Sequence, residues 1–187
     1  HLVALMYYRL LAEFDRNPTL KDRLVIAWLR GEEWGVDSWL DLVSRILRAL
    51  AVAEPQSKSL LEELRRISIE DSIDQAAANA TRLLKEAIGN RTLLLIVENL
   101  DDLFKGLGEA GQQQFRSFLQ AEQCCTILAT TSALFTAVQS RTKPFFGFFN
   151  PIHLDRLTVP EAIEMLGKIA TLGGQEDLAS FLQTPLG

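Results

Sequence analysis

The chain has 187 residues, 48% hydrophobic and 23% charged, which suffices for one substantial core and is short for two full domains. A net charge of -5 and a pI near 5.1 give no global attraction to nucleic acid or anionic membrane, while a local basic face stays open. No apolar run reaches the roughly 20 residues of a membrane span, and no signal-peptide pattern is visible.

In chain order, Leu2, Val3, Met6, Leu10 and Phe14 already share one helical face, with no capping residue ahead of them. A helix without a start signal implies preceding chain, so the sequence is expected to be a fragment. Pro18 in "RNPTLKD" interrupts that helix. The run "RLVIAWL", 23–29, is rich in β-formers and predicts a buried strand, followed by the two-glycine loop "GEEWGVDS". Ser38, with Asp41 three residues on, predicts the start of a helix whose apolar face is Trp39, Leu40, Val43, Ile46, Leu47 and Leu50. Trp28, Trp34 and Trp39 bracket this region and are expected to pack in the core. Beyond the polar break at Pro55 come a short charged helix over 60–67 and a long one over 72–88, which Gly89 and Asn90 end.

The stretch "LLLIVENLDD", 93–102, is an apolar strand running into acids, continued as an acidic loop through Gly108. A helix over 109–121 then buries Phe115, Phe118 and Leu119. "CCTILATT", 124–131, predicts another buried strand, and its adjacent cysteines, Cys124 and Cys125, read as small hydrophobes. With no other cysteine, neither a metal spacing nor a disulfide framework is present, and a reducing, cytoplasmic setting is expected. "PFFGFFNP" is either an interface patch or a loop folded over the core. "IHLDRL" is expected as a last short strand with His153 packed in it. Thr158, Pro160 and Glu161 cap a helix, and Gly173 and Gly174 precede a final short one. Apolar strands alternating with helices predict an α/β fold with a mainly parallel sheet flanked by helices, over residues 1–157. Residues 158–187 are expected to form a small helical annex.

Ligands of parallel α/β sheets bind outside the carboxyl ends of the strands. Glu98, Asn99 and Asp101 follow one strand, and Thr130, Thr131 and Ser132 end the next. Carboxylates and hydroxyls on neighbouring strand ends suit a Mg²⁺-phosphate site; the same residues are also ordinary loop and capping residues.

"TLLLIVENLDDLF" resembles the Walker B strand of AAA+ P-loop ATPases, in the branch shared by origin-recognition-type initiators and STAND signalling ATPases. In the same order, "RLVIAWLRGEEWGVDSWLDLVSRILRAL" is similar to that branch's second strand and following helix, "TILATTSALF" to its sensor 1 strand, and "IHLDRLTVPEAIEML" to the entry into its helical lid. The resemblance implies ATP and Mg²⁺ as ligands, with Glu98 organising Mg²⁺ through a water. It places Asn99 where a second acid polarises the attacking water, a role an amide cannot perform. Asp101 or Asp102 supplies the base instead, or hydrolysis is slow and ATP acts as a switch, or the site is vestigial. The resemblance also implies sensor 1 roles for Thr131 and Ser132. Arg141, with Arg156 as the alternative, would be a finger presented to a neighbouring subunit. It further implies homo-oligomerisation, with DNA or protein partners outside these residues.

The phosphate-cradling G-x-x-x-x-G-K-[ST] loop is absent from the sequence, and the resemblance places it before His1. The strand preceding that loop would be central in the sheet, so the isolated chain is expected to expose open strand edges and to be poorly soluble or molten. Two readings from other classes remain: a nucleotide-independent interaction scaffold, and a Mg²⁺-dependent phosphohydrolase using Glu98, Asp101 and Asp102.

Overall fold

The computed structural model describes residues 2–31, 35–54, 58–69, 72–175, 177 and 181–182. Trp34, Pro55 and most of the expected last helix lie outside them. The chain divides into two compact units, His1–Phe149 and Asn150–Gly187.

In the first unit, α1 (Leu2–Arg16) gives way to α2 (Pro18–Arg23), which Pro18 opens from the first turn while the Asn17 side chain accepts from Leu20 N–H. Strand β1 (Leu24–Leu29) leads to α3 (Trp39–Ala53), α4 (Lys58–Ile67) and α5 (Ile73–Ile88). Ser38 and Ser72 cap α3 and α5 by accepting backbone N–H groups three residues on, and Gly89 ends α5 at φ 59. Then come β2 (Thr92–Val97), α6 (Leu100–Glu122), β3 (Cys125–Ala129) and the single turn α7 (Thr136–Gln139).

The three strands form a parallel sheet in the order β1-β2-β3, with Leu29 opposite Val97 and Val97 opposite Ala129. Side chains alternate between the faces. Val25, Ala27, Leu29, Leu93, Leu95 and Val97 enter the main core with α3, α5 and α6, while Ile26 and Ile96 meet Val3 of α1 in a smaller cluster. The fold class is therefore α/β with a small parallel sheet and flanking helices. Strand β1 is largely buried, whereas every residue of β3 is half-buried or exposed.

Three expectations are corrected. The acidic segment 100–108 is not a loop: α6 begins at Leu100 and runs to Glu122. Asp101 and Asp102 occupy its first turn, where carboxylates complement the helix dipole. The expected boundary survives as a kink, with Gly108 at φ 60 and ψ -174. Gln112, only 7% exposed, reaches back across that kink and donates from Nε2 to the Phe104 carbonyl, 2.8 Å away.

The second correction is at 152–157, which form no strand; Ile152, Leu154 and Leu157 are exposed. A strand exists only with a partner, and none lies beside this segment among the described residues. The third follows from it: His153 is exposed, 3.6 Å from Asp155, rather than packed.

The aromatic loop does fold over the core. Phe145 is fully buried against Phe104 and Phe115, and the Arg116 guanidinium lies 4.3 Å from the centre of the Phe148 ring. In the second unit, α8 (Val159–Leu172) starts with the expected capping box. Thr158 Oγ1 accepts from Glu161 N–H, and the Thr158 N–H donates to Glu161 Oε2 at 2.8 Å. That contact holds the Glu161 carboxyl below the usual range.

Candidate functional site

The carboxyl ends of β1, β2 and β3 lie side by side because their ladders continue past the last strand residues. The Glu98 N–H donates to the Leu29 carbonyl at 3.0 Å, and the Thr130 N–H to the Val97 carbonyl at 2.9 Å. The Leu100 N–H then donates to the Thr130 carbonyl at 2.9 Å, which ties the start of α6 to the end of β3.

Glu98 leans toward β1. Its Oε1 accepts from Trp28 Nε1–H at 3.1 Å and its Oε2 from the Gly31 N–H at 3.2 Å. A Cβ on Gly31 would stand 2.6 Å from Asn99 Nδ2, so the exposed Asn99 side chain would have to shift to admit one. Asn99 is exposed and sits in the left-handed region, φ 54 and ψ 58. Its carbonyl accepts from the Asp102 and Leu103 N–H groups, so Asn99 makes the corner between β2 and α6. Asparagine tolerates this conformation better than other non-glycine residues, which gives its presence a backbone reason apart from any lost base.

Asp101 turns the other way. The Thr131 hydroxyl stands 3.1 Å from Asp101 Oδ1 and 2.8 Å from the Ala133 carbonyl, sharing its proton between the two acceptors. Lys105, one turn along α6, donates to Asp102 Oδ1 at 2.8 Å and lies 3.5 Å from Asp101 Oδ2. The Asp102 contact holds the Lys105 ammonium above its ordinary range.

Of the residues singled out from sequence, the structure thus brings Glu98, Asn99, Asp101 and Thr131 to one end of the sheet. Ser132 is exposed just beyond Thr131, and Arg141 is exposed in the turn after α7; neither is joined to the others by a hydrogen bond or ion pair. Trp28 and Gly31 were missed. The one available signal was an indole, with its single donor, one residue before the end of a strand. A cavity of about 330 Å³ opens beside them, lined by Gly31, Val36, Glu98, Asn99, Asp102 and Lys105 among others. Among the described residues no group of three or more His, Cys, Asp or Glu is placed to hold a metal by itself.

Chemically, the strand ends and the first turn of α6 offer the carboxylates of Glu98, Asp101 and Asp102, the Thr131 hydroxyl and the Lys105 ammonium. Mg²⁺ takes oxygen ligands and usually binds through one or two carboxylates together with substrate phosphates and water. Glu98 and Asp101 fit that requirement in donor type, each with lone pairs beyond those its protein partners use. Comparison with models of protein families, with curated protein sequences and with solved structures found no match.

Proposed function

We propose that the chain is part of a nucleotide-binding module of the AAA+/STAND-like kind, a slow-hydrolysing ATP switch coupled to homo-oligomerisation. The observation that carries this reading is the meeting of Asp101 and Thr131 across the ends of the neighbouring parallel strands β2 and β3, with Glu98 at the same end of the sheet on the β1 side. Parallel sheets bind ligands at that edge, and this pair puts an acid and a hydroxyl there together. Glu98 and Asp101 would hold Mg²⁺, which neutralises phosphate charge when bound. Thr131, whose hydroxyl meets Asp101, would act as the sensor residue, and Asn99 has no basic group, which would account for slow turnover. Arg141, exposed after α7, is the residue available to a neighbouring subunit.

The reading requires a phosphate-binding loop that residues 1–187 do not contain, so the test is made on the full gene product. Binding of a fluorescent ATP analogue should depend on Mg²⁺ and weaken about tenfold or more in Glu98→Gln and Asp101→Asn. A folded protein without Mg²⁺-dependent binding would sink the proposal.

One observation favours a second reading, a nucleotide-independent scaffold on the same fold. Both Glu98 oxygens already accept from Trp28 and Gly31, a use that needs no metal. On that reading Glu98→Gln lowers stability and leaves every nucleotide assay blank.

A further inference from the structure

The two carboxylates after β2 are drawn apart by different neighbours: Asp101 by Thr131 on the β3 side, Glu98 by two donors on the β1 side. One of those donors, the Gly31 amide, is fixed in the backbone. The other, the Trp28 indole, is placed by what packs on it. Trp28 is half-buried in the smaller cluster under α1, where the Tyr7 ring lies 4.8 Å away and tilted, and the Tyr8 ring 6.4 Å away and edge-on. The Arg30 guanidinium sits 4.7 Å from the centre of the same ring. Tyr7 and Tyr8 of α1 therefore supply ring contacts that help fix where the indole sits.

We propose that Trp28 is a positioning residue for the Glu98 carboxylate, and that α1, through Tyr7, decides whether Glu98 is held on the β1 side or released toward the strand-end site. The consequence for ligand binding rests on the nucleotide reading above; the positioning itself rests on the contacts between Tyr7, Trp28 and Glu98. With α1 docked, Trp28 and Gly31 occupy one lone pair on each Glu98 oxygen. With α1 displaced, the indole loses its support and Glu98 keeps only the Gly31 amide.

The test uses the full gene product with ¹⁵N-labelled tryptophan, the Trp28 indole resonance being assigned by its loss in Trp28→Phe. Indole N–H exchange should be several-fold faster in Tyr7→Leu and about tenfold faster in Glu98→Ala, while Tyr7→Phe, which keeps the ring, leaves it unchanged. In the second arm, Trp28→Phe should lower the Mg²⁺ concentration for half-maximal ATP-analogue binding about threefold or more, because Glu98 is released. Unchanged indole exchange in Tyr7→Leu, or an unchanged or higher Mg²⁺ requirement in Trp28→Phe, overturns the proposal. Should Tyr7→Leu fail to fold, Tyr7→Met takes its place in the exchange arm, while Glu98→Ala and Trp28→Phe test the Trp28–Glu98 contact. Absence of Mg²⁺-dependent binding in the unaltered protein overturns the nucleotide reading alone, and the exchange arm then settles the positioning by itself.

Discussion

Asn99 shows how one residue can carry a chemical and a conformational meaning at once. As the residue after Glu98 it lacks a base, and as the corner between β2 and α6 it occupies φ 54, where side chains other than asparagine and aspartate are strained. Asn99→Gly should therefore leave stability nearly unchanged, whereas Asn99→Ala should lose about 1 kcal/mol, both read from urea unfolding. A second residue-scale effect lies at Cys125. Burial, with the neighbouring Cys124 adding to it, pushes that thiol from its ordinary 9.0 up to about 12. Because the folded value is the higher one, its contribution to stability is present below about pH 9 and is lost as pH rises through about 12. At pH 8 the folded thiolate fraction is therefore well below that of a free cysteine. Iodoacetamide labelling of Cys125, followed by mass spectrometry, should slow in proportion and recover in urea.

Among the elements, α3, α5 and β2 meet at Arg91. Its Nη1 donates to Glu54 Oε1 at 2.5 Å and its Nη2 to Glu54 Oε2 at 3.3 Å, and it also donates to the Ala87 and Ile88 carbonyls at the end of α5. The Arg91 and Glu54 side chains are 25% and 15% exposed, so the pair is only partly screened. Arg91→Ala leaves a half-buried carboxylate and the Ala87 carbonyl without its side-chain donor, while the Ile88 carbonyl keeps the Arg91 backbone N–H, and should lower stability by about 2 kcal/mol in urea unfolding; Arg91→Lys, which keeps charge without the fork, should lose about half of that. Helix α6 teaches a different lesson. Asp101 and Asp102 read as loop acids because hydrophobic periodicity pauses there, yet carboxylates belong in a helix's first turn. Gly108 marked a real discontinuity, but Gln112 bridges it with a hydrogen bond that no spacing rule identifies.

For the whole molecule, the consequential feature is the contrast between the two outer strands. Among the described residues β1 and β3 each pair with β2 alone, yet β1 is largely buried while β3 is at best half-buried. Exposed apolar side chains concentrate in the second unit, with Ile152, Leu154, Val159, Ile169 and Leu172 all more than half exposed. Open strand edges and apolar patches of this kind favour association. The 187-residue chain by itself should scatter light increasingly with concentration and bind a hydrophobic dye such as ANS while still folded in the far-UV. A monomer with a sharp, high-temperature melt would contradict this.

The alternation of apolar strands with periodic helices, the caps at Ser38 and Thr158, and the strand running into Glu98 followed from the sequence alone. Those features depend on residues close together in the chain, where periodicity and turn chemistry act. Tertiary structure decided which way each acid faces. Glu98 and Asp101 stand three residues apart, yet one meets Trp28 and the other Thr131. A carboxylate's direction is set by the donors that reach it across 30 or 70 positions of chain, and local pattern carries no record of them. The unpaired segment 152–157 has the same explanation. Its composition suits a strand, and only a neighbouring strand could have made it one.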